Sequence, residues 1–184
     1  SPDGFNHNSV NGALDELEAT AHYLYYTQTG GDGKRYWFHT KPNIKILINQ
    51  AKADVTSKDI EFDILQRLRD KTRASSIFKV LVDPPADEVS EQKQPTLVFL
   101  HPRYTATQHA VDGETKAMIE RIATKKGNSE RIYRNTILFV APDEPVLANL
   151  QGEIREYLAC QKTSIDYKHQ LDSEQLSEVA KRTV

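Results

Sequence analysis

The chain has 184 residues, a net charge of −2, 38% hydrophobic and 27% charged residues. That length suits one ordinary domain or a small module of something larger, and the near-neutral balance excludes the strongly basic signature of a dedicated nucleic-acid binder, leaving only local patches. A single cysteine, Cys160, excludes an internal disulfide framework and agrees with a reducing cytoplasm, and no apolar run approaches the roughly 20 residues of a membrane-spanning helix.

Residues 1–9 are polar and turn-rich, open without Met or a signal peptide, and read as a disordered lead or the cut end of an excised fragment. From Val10 the pattern is helical, with Val10, Leu14, Leu17 and Ala21 on one face and Ser9 or Asn11 as cap. The aromatic segment His22–Thr27 and the segment Arg35–Thr40 read as strands around the turn Gly30-Gly-Asp-Gly33. A helix followed by a hairpin is the back half of a winged helix, with Val10–Thr20 as its third helix and Gln28–Lys34 as the wing tip. Residues 10–41 form that unit.

Residues 42–74 read as a helical connector. Pro42 fits a first helical turn, and Ile44, Leu47 and Ile48 begin a stripe toward Ala53. Thr56 or Ser57 restarts a helix through Arg73, with Ile60, Ile64, Leu65 and Leu68 on one side and a charged, solvated face opposite.

Residues 75–184 read as a small α/β module. Ile77–Val82 and Thr96–Leu100 are strands, and Asp112 caps a helix carrying Ala117, Met118, Ile119 and Ile122 that ends near Gly127. Ile137–Ala141 is an apolar run bounded by breakers, which predicts a central strand covered on both faces. Asp143 then caps a helix with Val146, Leu147, Leu150, Ile154, Tyr157 and Leu158 on one stripe. Asp172 with Gln175 predicts a capping box. The fold class is α/β, mixed α+β in detail: a partial winged-helix-like helix and hairpin, then a small sheet layer with flanking helices.

No catalytic set is assigned. Gly30–Arg35 shares letters with a phosphate-binding loop but lies between strands and lacks the hydroxyl residue. The histidines at 7, 22, 39, 101, 109 and 169 form no His-x-x-x-His pair and have no second cysteine, so no metal site is predicted. His101, His109 and Asp112 converge only if their loop folds back, and a hydrolase site would need Asp83 and Asp143 to meet. No nucleophile elbow of the form Gly-x-Ser-x-Gly occurs. Two patches are candidates. Lys34, Arg35, Trp37, Lys41 and Lys45 surround the wing and could meet nucleic-acid phosphates. Arg131 and Arg134, with Asn135, precede the apolar strand and could fork onto a phosphate or an interdomain carboxylate.

In order along the chain, Leu14-Asp-Glu-Leu17, Tyr23-Leu24, Arg35-Tyr-Trp-Phe38 and Pro42-Asn43-Ile44 resemble a stretch of a large prokaryotic ATP-binding protein family. So do Arg131-x-x-Arg134-Asn135 through Asp143, Tyr157-Leu158-Ala159 and the segment Leu171–Lys181. The family is catalogued as a domain of unknown function, is similar to AAA-type P-loop ATPases, and is often encoded near restriction or phage-defence genes. The resemblance implies that a nucleotide-binding core precedes this region, that ATP and magnesium serve the parent protein, and that this chain holds no cofactor itself. The expected role is a cytoplasmic, non-catalytic accessory or regulatory C-terminal region contacting the rest of its polypeptide or a partner, with no membrane contact. The alternative is a DNA-binding module acting through the wing.

Overall fold

The computed structural model describes residues 7–30, 33–74 and 77–183. The chain runs α1 (His7–Thr20), β1 (Leu24–Gln28), β2 (Lys34–Phe38), α2 (Ile44–Asp54), α3 (Ser57–Thr72), β3 (Lys79–Val82) and β4 (Thr96–Phe99). It continues with α4 (Gly113–Thr124), β5 (Lys125–Lys126), β6 (Ser129–Glu130), β7 (Ile137–Val140), α5 (Glu144–Asp166) and α6 (Ser173–Lys181). The fold is mixed helix and strand, with small sheets and flanking helices. Residues 1–6 of the lead lie outside the described residues, whereas His7 already belongs to α1.

Local signals set most boundaries. Asn43 Oδ1 accepts from the Lys45 amide at 3.1 Å, so α2 starts after an asparagine cap and Pro42 lies outside the helix rather than in its first turn. Asp112 caps α4 through the Glu114 amide at 3.3 Å, and Asp143 accepts from the Val146 amide at 3.3 Å with Pro145 in the first turn of α5. Asp172 and Gln175 make the reciprocal capping box of α6. Gly127 does not end α4. It takes φ 58° as the first central residue of a two-residue turn between β5 and β6, a position that a II′-type hairpin gives to glycine.

The chain divides into two compact units, residues 1–56 with 154–184 and residues 57–153. These boundaries differ from the three sequence segments 10–41, 42–74 and 75–184. In the first unit, α2 is tied to chain about a hundred residues downstream: Arg155 Nη1 donates to the Val55 carbonyl at 3.0 Å, and Lys162 Nζ meets Asp54 at 2.6 Å. Lys52 also pairs with Glu156, and Gln175 Nε2 donates to the Pro42 carbonyl at 2.8 Å. These contacts tie α2 into the first unit. The predicted apolar stripe of α1 stays open, with Val10 44% and Leu17 46% exposed.

The second unit is built on a parallel three-stranded sheet of order β3-β4-β7, with Leu81, Val98 and Phe139 in register. One face packs on Ala86, Val89, Leu100, Tyr104 and Ile122, with Met118 and Ile119 of α4 against them. This corrects the expectation for Ile137–Ala141: β7 is an edge strand, and β4 is central. An all-apolar run records the chemistry of both faces but not which neighbours cover them. Ile137 is buried on the core face, whereas Leu138 and Val140 on the other face are 50% and 37% exposed. No helix among the described residues is long and apolar enough to cross a membrane.

Candidate functional site

The hairpin residues sort by register. Tyr25 opposes Trp37 and Thr27 opposes Arg35, so these four share one face; Tyr26 opposes Tyr36 and Gln28 opposes Lys34 on the other. On the second face Lys34 and Tyr36 meet α1, whereas Tyr26 and Phe38 are 45% and 79% exposed. Lys34 Nζ meets Glu18 at 2.7 Å and lies 4.8 Å from the centre of the Tyr26 ring, while the Tyr36 hydroxyl donates to the same carboxylate. The Lys34 hydrogen bond, with that of Tyr36 next, holds the Glu18 carboxyl below the usual range, and Glu18 in turn raises the Lys34 ammonium. The first face is partly open: Tyr25 is half-buried, and its hydroxyl donates to the Pro42 carbonyl at 2.9 Å. Trp37 is 41% exposed and stacks on Tyr25, ring centres 6.1 Å apart and 25° between planes, with the His39 ring 5.4 Å from Tyr25.

Of the five residues proposed around the wing, two lysines are therefore committed within the fold. Lys34 serves Glu18, and Lys41 pairs with Asp172 at 2.5 Å, near Glu174 at 4.0 Å. Arg35 and Lys45 form no ion pair among the described residues and remain exposed beside Trp37's strand and at the start of α2 respectively. Gly31 and Asp32 of the tip lie outside the described residues.

The second candidate patch does not stay together. Arg131 is 2% exposed, and its guanidinium donates to the carbonyls of Val89 at 2.7 Å, Ile122 at 2.9 Å, Lys125 at 3.2 Å and Ser90 at 3.3 Å. With four of its five N–H groups occupied by backbone, Arg131 staples the end of α4 to the segment after β3 instead of presenting a fork to a phosphate. Glu91 supports the same junction by accepting from the amides of Ile132 and Tyr133. Arg134 is 55% exposed, donates to the Arg131 carbonyl at 3.2 Å and lies 3.7 Å from Glu130, and Asn135 is exposed. These two remain at the surface without Arg131.

The carboxyl ends of the parallel strands are where α/β folds hold ligands. Asp83 follows β3 with φ 49°, its amide donating to the Phe99 carbonyl at 2.9 Å, and Asp143 is used as the cap of α5. His101, after β4, accepts from the Arg103 amide and lies 3.8 Å from Glu61. Among the described residues no group of three or more His, Cys, Asp or Glu side chains could hold a metal, His101, His109 and Asp112 included. The space there is apolar: a groove of about 180 Å³ lies between Ile64 and Leu68 of α3, Phe99 and Val140 of the sheet, and Leu147 and Leu150 of α5. Ligand sites commonly run from about 300 Å³ upward and carry convergent polar groups, so this groove fits side chains better than a cofactor. A wider cleft of about 480 Å³ at the end of α3 carries Arg69, Arg73 and Lys79, of which Arg73 faces Asp70 and Lys79 donates to Ser90.

Sequence reasoning missed the open half-face of the sheet and the groove beside it. The signal was present as apolar residues at both even and odd positions of Ile137–Val140. No protein-family model matches the chain, and no curated protein or solved structure matches it.

Proposed function

We propose that the chain is a non-catalytic accessory region of a cytoplasmic ATP-binding protein, and that it makes interdomain or partner contacts through the part of its parallel sheet left exposed at β7. The observation that carries this reading is the exposure of Leu138 and Val140 on β7, next to an apolar groove completed by Leu147 and Leu150. Parallel sheets are ordinarily covered on both faces. Burying a whole Leu or Val side chain contributes about 1.5–3 kcal/mol, so the half-open pair forgoes roughly 2 kcal/mol that a covering segment supplies. The motif resemblance supports a further segment of the parent polypeptide as that cover. ATP and magnesium would then belong to the parent's core. Calorimetric titration of the chain with ATP and magnesium tests the non-catalytic part: no heat of binding is expected, and micromolar affinity overturns it. Leu138→Asp tests the contact part and is expected to abolish association with the rest of the parent polypeptide while leaving the thermal midpoint of the chain nearly unchanged.

A second reading, nucleic-acid binding through the hairpin, is favoured by one observation. Arg35 shares the partly open hairpin face with the exposed Trp37 and has no ion pair among the described residues.

A further inference from the structure

The hairpin is unevenly equipped for nucleic acid, and the imbalance says which form suits it. A wing that grips duplex DNA works through cations on phosphates. Here Lys34 is spent on Glu18 and Lys41 on Asp172, which leaves Arg35 and Lys45. The partly open face offers something else. Tyr25, Trp37 and His39 form a continuous aromatic cluster, with Thr27 and Arg35 in register beyond it, whereas on the opposite face Lys34 and Tyr36 are engaged by Glu18 of α1. Exposed aromatic rings flanked by a guanidinium with no ion pair among the described residues are the elements on which unpaired bases stack, and bases within a duplex present no free face to such rings.

We infer that the Tyr25–Trp37 face binds single-stranded nucleic acid by base stacking, with Arg35 meeting the adjoining phosphate. This deepens the nucleic-acid reading and rests on it, and it is independent of the sheet face of the second unit. The ion-paired lysines contribute little to the contact, so affinity depends on the rings more than on salt. With at most two free cations engaged, the slope of log affinity against log salt is no steeper than roughly −1.5.

Trp37 is the only tryptophan in the chain, so its fluorescence reports the proposed contact directly. The whole chain is titrated at low salt with oligothymidylate, with an abasic oligonucleotide of equal length, and with duplex DNA. The expected result is saturable quenching by oligothymidylate and at least about tenfold weaker binding of the abasic strand and the duplex. By anisotropy of a labelled strand, Trp37→Ala loses about tenfold in affinity, Trp37→Phe retains most of it, and Arg35→Ala loses less than Trp37→Ala. Circular dichroism of each variant confirms that the hairpin unit stays folded, and Trp37→Phe and the exposed Arg35→Ala keep the test valid if Trp37→Ala does not. Duplex binding as tight as single-strand binding, or a salt slope steeper than about −4, overturns the stacking inference while the wing reading stands. Absence of quenching and of binding to every probe overturns both, and leaves the proposal for the sheet face untouched.

Discussion

Replacing Arg131 with Met separates a structural guanidinium from a ligand-binding one. In the folded chain the Val89 and Ile122 carbonyls are buried and take N–H groups from Arg131 at 2.7 and 2.9 Å, while the Ser90 and Lys125 carbonyls are partly buried at 3.3 and 3.2 Å. A buried acceptor left without its donor costs about 1–3 kcal/mol, so two of them give about 2–6 kcal/mol. Relief of the buried charge and the apolar contacts of Met offset part of that, and we expect a net loss of about 3 kcal/mol. For a unit of this size 1 kcal/mol corresponds to about 4–8 °C, which places the fall in thermal midpoint at about 12–24 °C. Arg131→Lys keeps the charge, but three donors at one point cannot span carbonyls on separate segments, so its loss falls between. Arg134→Ala, at an exposed site, changes stability by less than about 0.5 kcal/mol. Urea unfolding followed by far-ultraviolet circular dichroism measures all three. A loss below about 1 kcal/mol for Arg131→Met, coupled with loss of phosphate binding, would show that the guanidinium serves a ligand and refute the reasoning.

Two further substitutions probe the same unit. Thr115 is fully buried in α4, and its hydroxyl finds no hydrogen-bond partner among the described residues, so Thr115→Val removes an unsatisfied group at constant shape. It is expected to raise stability by about 1 kcal/mol, and an unchanged or lower thermal midpoint contradicts this. Glu91 is held below the usual carboxylate range, first by the Tyr133 amide and then by the Ile132 amide and the charges of Lys126 and Arg131, against the opposing effect of burial. A carboxyl with a lowered folded-state pKa stabilises fully above the ordinary value near about 4.3 and loses that contribution as pH falls through the folded value. Glu91→Gln should therefore flatten the acid limb of a stability-versus-pH curve, and superimposable limbs for the two proteins would count against the role given to Glu91.

Chemistry decided within a few residues was legible in the sequence. The caps Asp112, Asp143 and Asp172, the box with Gln175, and the helix–hairpin opening are local, because a capping oxygen reaches an amide two or three residues on. What failed to show depends on distant chain. The run Ile137–Ala141 announced a strand but not its place at the sheet edge, since apolar content is blind to strand order. Arg131 looked like an external fork because nothing in Glu130–Asn135 reveals the carbonyls of Val89 and Ser90, brought in across forty residues. Lys34 and Lys41 looked like free cations for the same reason, their acids lying on α1 and at the cap of α6. Trp37 was readable as an aromatic beside the wing. That it shares a face with Arg35 followed only from the register of the hairpin.

Hydrogen exchange of the Ile137–Val140 amides addresses the central claim most directly, because the exposed side chains of β7 lie at the proposed contact. The exchange is compared between the chain alone and the full-length parent polypeptide, with the Val98 amide of the central strand as internal reference. The expected result is that the β7 amides gain protection in the parent while Val98 is unchanged. Equal exchange of β7 in both would mean that nothing covers the sheet there, and would contradict the contact function proposed for this chain.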